Sequence, residues 1–130
     1  RGTWVEAGIP ALAHALSSSL RFFPVHVHNT DGAFSLRESF IHLEPRDVVL
    51  TAIKKAEQAD MLMVRFYNPL GRPAQCRLHC SLPIASACLT NLAEEVQAEL
   101  GVVDGTVAME VGPHKIVTVG LMLRQGLFDR

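Results

Sequence analysis

Aromatic residues are scarce in this sequence, and charge of one sign is not in excess. Aromatics make up 6% of the 130 residues, and only Trp4 and Tyr67 add a polar handle. Sugar recognition by exposed aromatic platforms is therefore thinly supplied. The formal net charge is −1, which offers no basic field to nucleic acid and no acidic tail. No apolar run approaches the roughly 20 residues of a membrane-spanning helix. No basic start followed by an apolar core marks a signal peptide. Cysteine is limited to Cys76, Cys80 and Cys88. An odd count without framework spacing argues against a disulfide scaffold, and free thiols point to the cytoplasm. There is no internal repeat and no low-complexity linker. No catalytic constellation stands out. The first residue is Arg1, not Met, and the chain is read as a piece of a longer protein.

What is present suits one domain with one core over residues 1–130: hydrophobic residues make up 48%, enough to fill it. The organising stretch is residues 48–68, VVLTAIKKAEQADMLMVRFYN. Its period-two alternation predicts two strands joined by a charged turn. On the first strand, Val49, Thr51 and Ile53 share one face, and Leu50, Ala52 and Lys54 the other. On the second, Leu62, Val64 and Phe66 alternate with Met61, Met63, Arg65 and Tyr67.

Residues 1–20 read as a lead-in arm, with a short helix over residues 11–20 weakened by Ser17, Ser18 and Ser19. Residues 20–28 predict a strand, at an edge or interrupted at Pro24. Asn29 to Gly32 form a turn, and residues 34–43 predict another strand. Residues 74–82 alternate cleanly, with Cys76, Leu78, Cys80 and Leu82 inward and Arg77, His79 and Ser81 outward. Residues 84–100 conflict. Leu89, Leu92, Ala93, Val96 and Leu100 have helical spacing, and Asn91 with Glu94 resembles a helix start. Ile84, Ser86, Cys88 and Thr90 would serve equally as a strand. Asp104-Gly105 marks a turn before a strand with Val107, Met109 and Val111 on one face. The last strand has Val117, Val119, Leu121 and Leu123 on one face. The pattern predicts an all-β antiparallel sandwich of about seven to eight strands, with at most one short helix.

Four pieces in order carry a family resemblance: VVLTAIKKAE at residues 48–57, LMVRFYNPLGRPAQCRLHCSLP at 62–83, LTNLAEEV at 89–96 and PHKIVTVGL at 113–121. Together they resemble the C-terminal β domain of glycoside hydrolase family 38, the α-mannosidases. The shared pattern is a strand ending in Lys before an acidic turn, then an Arg-bearing strand ending in Asn. Asn91-Leu92-Ala93-Glu94 follows, then Pro113, Ile116 and Thr118. The resemblance implies a parent that hydrolyses terminal α-mannosyl linkages with retention, its carboxylate nucleophile and zinc lying in an N-terminal α/β domain. This chain would then hold no catalytic residue, no metal and no cofactor. It would pack on the catalytic domain of its own parent and help shape the carbohydrate cleft. Oligosaccharide would be met through the parent, and homo-oligomer contacts are a further option. The resemblance also implies an extended segment at residues 84–92, with residues 93–100 left open. A free-standing carbohydrate- or protein-binding sandwich is the alternative.

Lys54, Arg65, Asn68 and Glu94 are the candidate carbohydrate or interdomain contacts, with Glu57 beside them. The plainer reading is a cross-strand charge group in which Glu57 or Glu94 neutralises Lys54 and Arg65. His26 and His28 would share a strand face as metal ligands do, but no third ligand is spaced nearby. Cys76, His79 and Cys80 look like a metal motif only until strand alternation sends His79 the other way. His114 is placed by its turn.

Overall fold

Strict alternation over seven residues fixes one strand and, through it, the orientation of a whole sheet. Ala74, Cys76, Leu78 and Cys80 are buried while Gln75, Arg77 and His79 are exposed. The computed structural model describes residues 2–18, 21–22, 24 and 37–124. Its elements are α1 (Ile9–Ser17), β1 (Ile41–Glu44), β2 (Val49–Lys55), β3 (Leu62–Tyr67), β4 (Ala74–Cys80), β5 (Ile84–Thr90), β6 (Val96–Leu100), β7 (Val102–Val103), β8 (Thr106–Val111) and β9 (Ile116–Leu123). They form a four-stranded sheet in the order β1-β4-β8-β7 and a five-stranded sheet in the order β2-β3-β9-β5-β6, every pairing antiparallel. The predicted antiparallel sandwich is the fold. Nine strands are counted among the described residues because Gly101 divides the passage from β6 to β7, which belong to different sheets.

The core lies between the sheets. Val64 and Phe66 sit opposite Val119 and Val117 on one layer, and Cys76, Leu78, Val107 and Val111 face them from the other. Phe66, Leu78, Val64 and Val107 are wholly enclosed, each contributing about 1.5–3 kcal/mol relative to exposure. Burial pushes the thiols of Cys76, Cys80 and Cys88 above their ordinary pKa. They are free and act as small apolar side chains.

The hairpin of β2 and β3 forms as predicted, with one correction to its faces. A bulge between Leu50 and Ala52 shifts the parity of β2. Leu50 therefore sits opposite Phe66 and packs on the core, Ile53 sits opposite Val64 but stays half-exposed on this marginal strand, and Val49 sits opposite Tyr67 on the outer side. The extra residue, Thr51, donates its hydroxyl to the Arg65 carbonyl at 3.0 Å.

Residues 84–100 contain no helix; they form β5, a tight turn and β6, so the helical spacing does not decide. The side chain of Asn91 explains the misleading signature. Its Oδ1 accepts the backbone N–H groups of Ala93 at 2.9 Å and Glu95 at 3.0 Å. That is the bond an N-cap makes, used here to close a β turn. The short helix runs from Ile9 to Ser17 and stops inside the serine run, where the Ser17 hydroxyl donates to the His14 carbonyl. The strand predicted at residues 34–43 is confined to β1 within the described residues; residues 34–36 lie outside them. Most of the strand predicted at residues 20–28, His26 and His28 included, also lies outside.

The Asp104-Gly105 turn between β7 and β8 has positive φ at both residues, 48° and 69°, as a two-residue hairpin turn requires. A Cβ on Gly105 would come within 2.8 Å of the Cys80 carbonyl oxygen. Gly105→Ala combines that clash with a strained backbone, and a destabilisation of about 1–3 kcal/mol is expected. Chemical denaturation of the variant checks it.

Candidate site at the loop clasp

The outer face of the five-stranded sheet is also dry near its centre. Register aligns Lys54, Met63, Gly120, Cys88 and Glu99 across the five strands, one per strand. Met63 and Cys88 are buried with Met61 and Ala56 in a second apolar cluster. Gly120 makes the room: a Cβ there would lie 3.1 Å from Cys88 Sγ and 3.3 Å from Met61 Sδ. Two of this cluster's residues, Ala56 and Met61, come from the connection between β2 and β3, closed by the Ala56 N–H donating to the Met61 carbonyl at 2.9 Å.

Glu94 joins that connection to the loop between β5 and β6. Lys54 Nζ lies 2.7 Å from Glu94 Oε1 and 3.4 Å from Glu57 Oε1. The Glu57 backbone N–H donates to Glu94 Oε2 at 2.8 Å. Glu94 takes a left-handed φ of 66°, a conformation held by the bonds Asn91 makes around it. The bond from Lys54, then that from the Glu57 N–H, holds the Glu94 carboxyl below its ordinary pKa. The bond to Glu94 in turn outweighs desolvation and raises Lys54. A cleft of about 260 Å³ opens beside this clasp, lined by Ala56, Glu57, Gln58, Ala59, Met61, Leu92, Ala93, Glu94 and Glu95.

The four sequence candidates therefore separate. Lys54 and Glu94 meet directly. Arg65 lies in the neighbouring row, opposite Ala52 and Thr118. Its Nε–H donates to the Thr118 hydroxyl at 3.0 Å, and its charge adds only a minor pull on Glu94. Asn68 is elsewhere and fully buried. Its Nδ2 donates to the carbonyls of Arg72 at 2.8 Å, and Val111 and Gly112 at 3.1 Å each, while its Oδ1 accepts the Leu70 N–H. It fastens the turns after β3 and β8 and holds no exposed contact. Thr118 and Asn91 were missed as site builders; Asn91 was visible in the sequence, but as a helix start. Among the described residues, no group of three or more His, Cys, Asp or Glu side chains could hold a metal ion.

A family model described as the glycosyl hydrolases family 38 C-terminal beta sandwich domain matches residues 47–119, more than half the chain. The chain belongs to that family. Mouse (Mus musculus) "Alpha-mannosidase 2C1" is 30% identical over 129 residues, covering 95% of this chain and 12% of that protein. Human (Homo sapiens) "Alpha-mannosidase 2C1" is 27% identical with the same coverage. The chain thus spans about an eighth of the length of these curated relatives. The matched residues run from Asp47, just before β2, into β9, and so take in the clasp.

Two predictions follow from these contacts. Asn68→Ala strands several buried carbonyls and one N–H, and about 3 kcal/mol of stability should be lost; denaturant titration measures it. For Glu94, the folded pKa is lowered, so its contribution is present above the ordinary carboxylate range and lost as pH falls through the folded value. Lys54 is raised, so its share is present below the ordinary lysine range and lost as pH rises through the folded value. Stability followed against acid pH should therefore fall less steeply in Glu94→Gln than in the parent sequence. Superimposable pH profiles would refute the assignment.

Proposed function

We propose that this chain is the non-catalytic C-terminal sandwich of an α-mannosidase-like retaining glycoside hydrolase. In this reading it packs on the catalytic domain of the same polypeptide and helps shape the carbohydrate cleft. The observation that carries the reading is the combination of family and coverage: a C-terminal β-sandwich match, in relatives eight times its length named as α-mannosidases.

The chemistry of the clasp supports the division of labour. Retaining hydrolysis uses two carboxyl groups about 5–5.5 Å apart, one of them kept protonated to donate to the leaving group. A proton donor needs a raised pKa, and Glu94 is pushed the other way. Its carboxylate is already committed to Lys54 and the Glu57 N–H. The clasp is suited to presenting charge and hydrogen-bonding groups, not to breaking a glycosidic bond. Lys54, Glu94 and Arg65 are the contact positions in this reading, and Asn68 serves the fold. Zinc chemistry belongs to the catalytic part of the parent. Three buried free thiols accord with a cytoplasmic setting.

The test is turnover of an aryl α-mannoside. The isolated 130-residue chain should give none, and the full-length polypeptide should hydrolyse it and lose activity on chelation. Hydrolysis by the isolated chain, or a full-length protein inert toward α-mannosides, would overturn the reading.

A further inference from the structure

Helix α1 has its amphipathicity reversed. A surface helix ordinarily turns its apolar stripe inward. In α1, Ile9, Leu12, Ala13 and Leu16 fall at i, i+3, i+4 and i+7 and so share one face. That face is open to solvent: Ile9 is 46% exposed, Leu12 57% and Leu16 82%. The half-buried helical positions are Pro10 and His14, a turn apart on another side, and α1 packs beside β2. No residue of the helix is buried, and its sequence IPALAHALS has no Asp, Glu, Lys or Arg.

The helix is also poorly equipped to stand alone. It has nine residues, whereas isolated helices shorter than about 12–15 residues are marginal in water. Its N-cap is Gly8, without a side-chain capping bond, and its first turn has no acidic residue. Tertiary packing has to supply what capping and length do not.

We propose that the Ile9, Leu12 and Leu16 face of α1 docks into an apolar groove on the remainder of the same polypeptide. This rests on the reading of the chain as one part of a longer α-mannosidase-like protein. The match to the relatives takes in 95% of this chain, which brings α1 into it, and leaves most of each relative outside. Size decides between a tethered partner and a separate one. A nine-residue helix is about 14 Å long and 10 Å wide, so one face offers on the order of 150 Å². A stable complex of separate proteins buries about 800 Å² per partner. A face this small holds only a partner kept close by the chain itself, at an effective concentration on the order of millimolar. The absence of charge disfavours an anionic surface.

Hydrogen exchange, read by mass spectrometry on the full-length polypeptide and on the isolated chain, tests this. Amides of Ile9–Ser17 should exchange at least about 10-fold more slowly in the full-length protein. The double variant Leu12→Lys, Leu16→Lys should restore fast exchange there while β3 and β9 stay protected. Lysine keeps helix propensity close to leucine's, so the change reports docking. Equal exchange of α1 in both contexts overturns the proposal. So does a concentration-dependent dimer of the isolated chain that the two lysines abolish, because it gives the face to a second copy. Turnover of the aryl α-mannoside separates the two readings. An active full-length protein with unprotected α1 removes only the docking. An inactive one with protected α1 removes only the α-mannosidase assignment.

Discussion

Strand β3 has to be dry on both faces, and most of the architecture answers that requirement. Val64 and Phe66 point into the space between the sheets, and Met63 points away from it. The inner face is met by the opposing sheet, the ordinary solution for a sandwich. The outer face is shielded by chain that is neither strand nor helix. Residues 56–61 bring Ala56 and Met61 over it, and Glu94 reaches in from the neighbouring loop to hold that connection.

Backbone with free polar groups makes a poor cover unless those groups find partners. Each half of this cover has its own fastening. The Ala56 N–H is satisfied by Met61, and that of Glu57 by a carboxylate from 37 residues later. Asn91 organises the loop that carries this carboxylate. The clasp thus has a structural duty whatever else it touches: Lys54 keeps much of its side chain in solvent, while the carboxylate of Glu94 is largely covered and held in place. Asn68 performs a related task at the far end of β3, where one buried amide replaces a cluster of separate turn contacts.

Much of the fold was legible because strand alternation was clean. Residues 74–80 and 116–123 give their inner faces directly, and Asp104-Gly105 gives its turn. The bulge at Thr51 was not legible, since one extra residue leaves no compositional mark and yet puts Val49 and Ile53, expected on one face, on opposite faces. Residues 84–100 were ambiguous for a physical reason. Asn91 offers the same oxygen to the same kind of N–H whether a helix or a turn follows, and only the pairing of β6 back onto β5 decides. At the candidate site, the charged partners of Lys54 could be named from type and proximity. Asn68 could not be told from a surface residue, because two of the three carbonyls that accept from it come from positions more than 40 residues away.

The described strands pass between the sheets five times, and two of these crossings are short and lie at the sheet margins. Residues 45–48 carry the chain from β1, at one margin of its sheet, to β2, at one margin of the other. Gly101 alone does the same between β6 and β7 at the opposite margins. The body is therefore sewn along both sides, closer to a flattened sleeve than to two loose plates. Among the described residues, a strand entering between the layers at either margin would meet a covalent crossing, whereas the broad faces and the ends of such a sleeve are open to a neighbour.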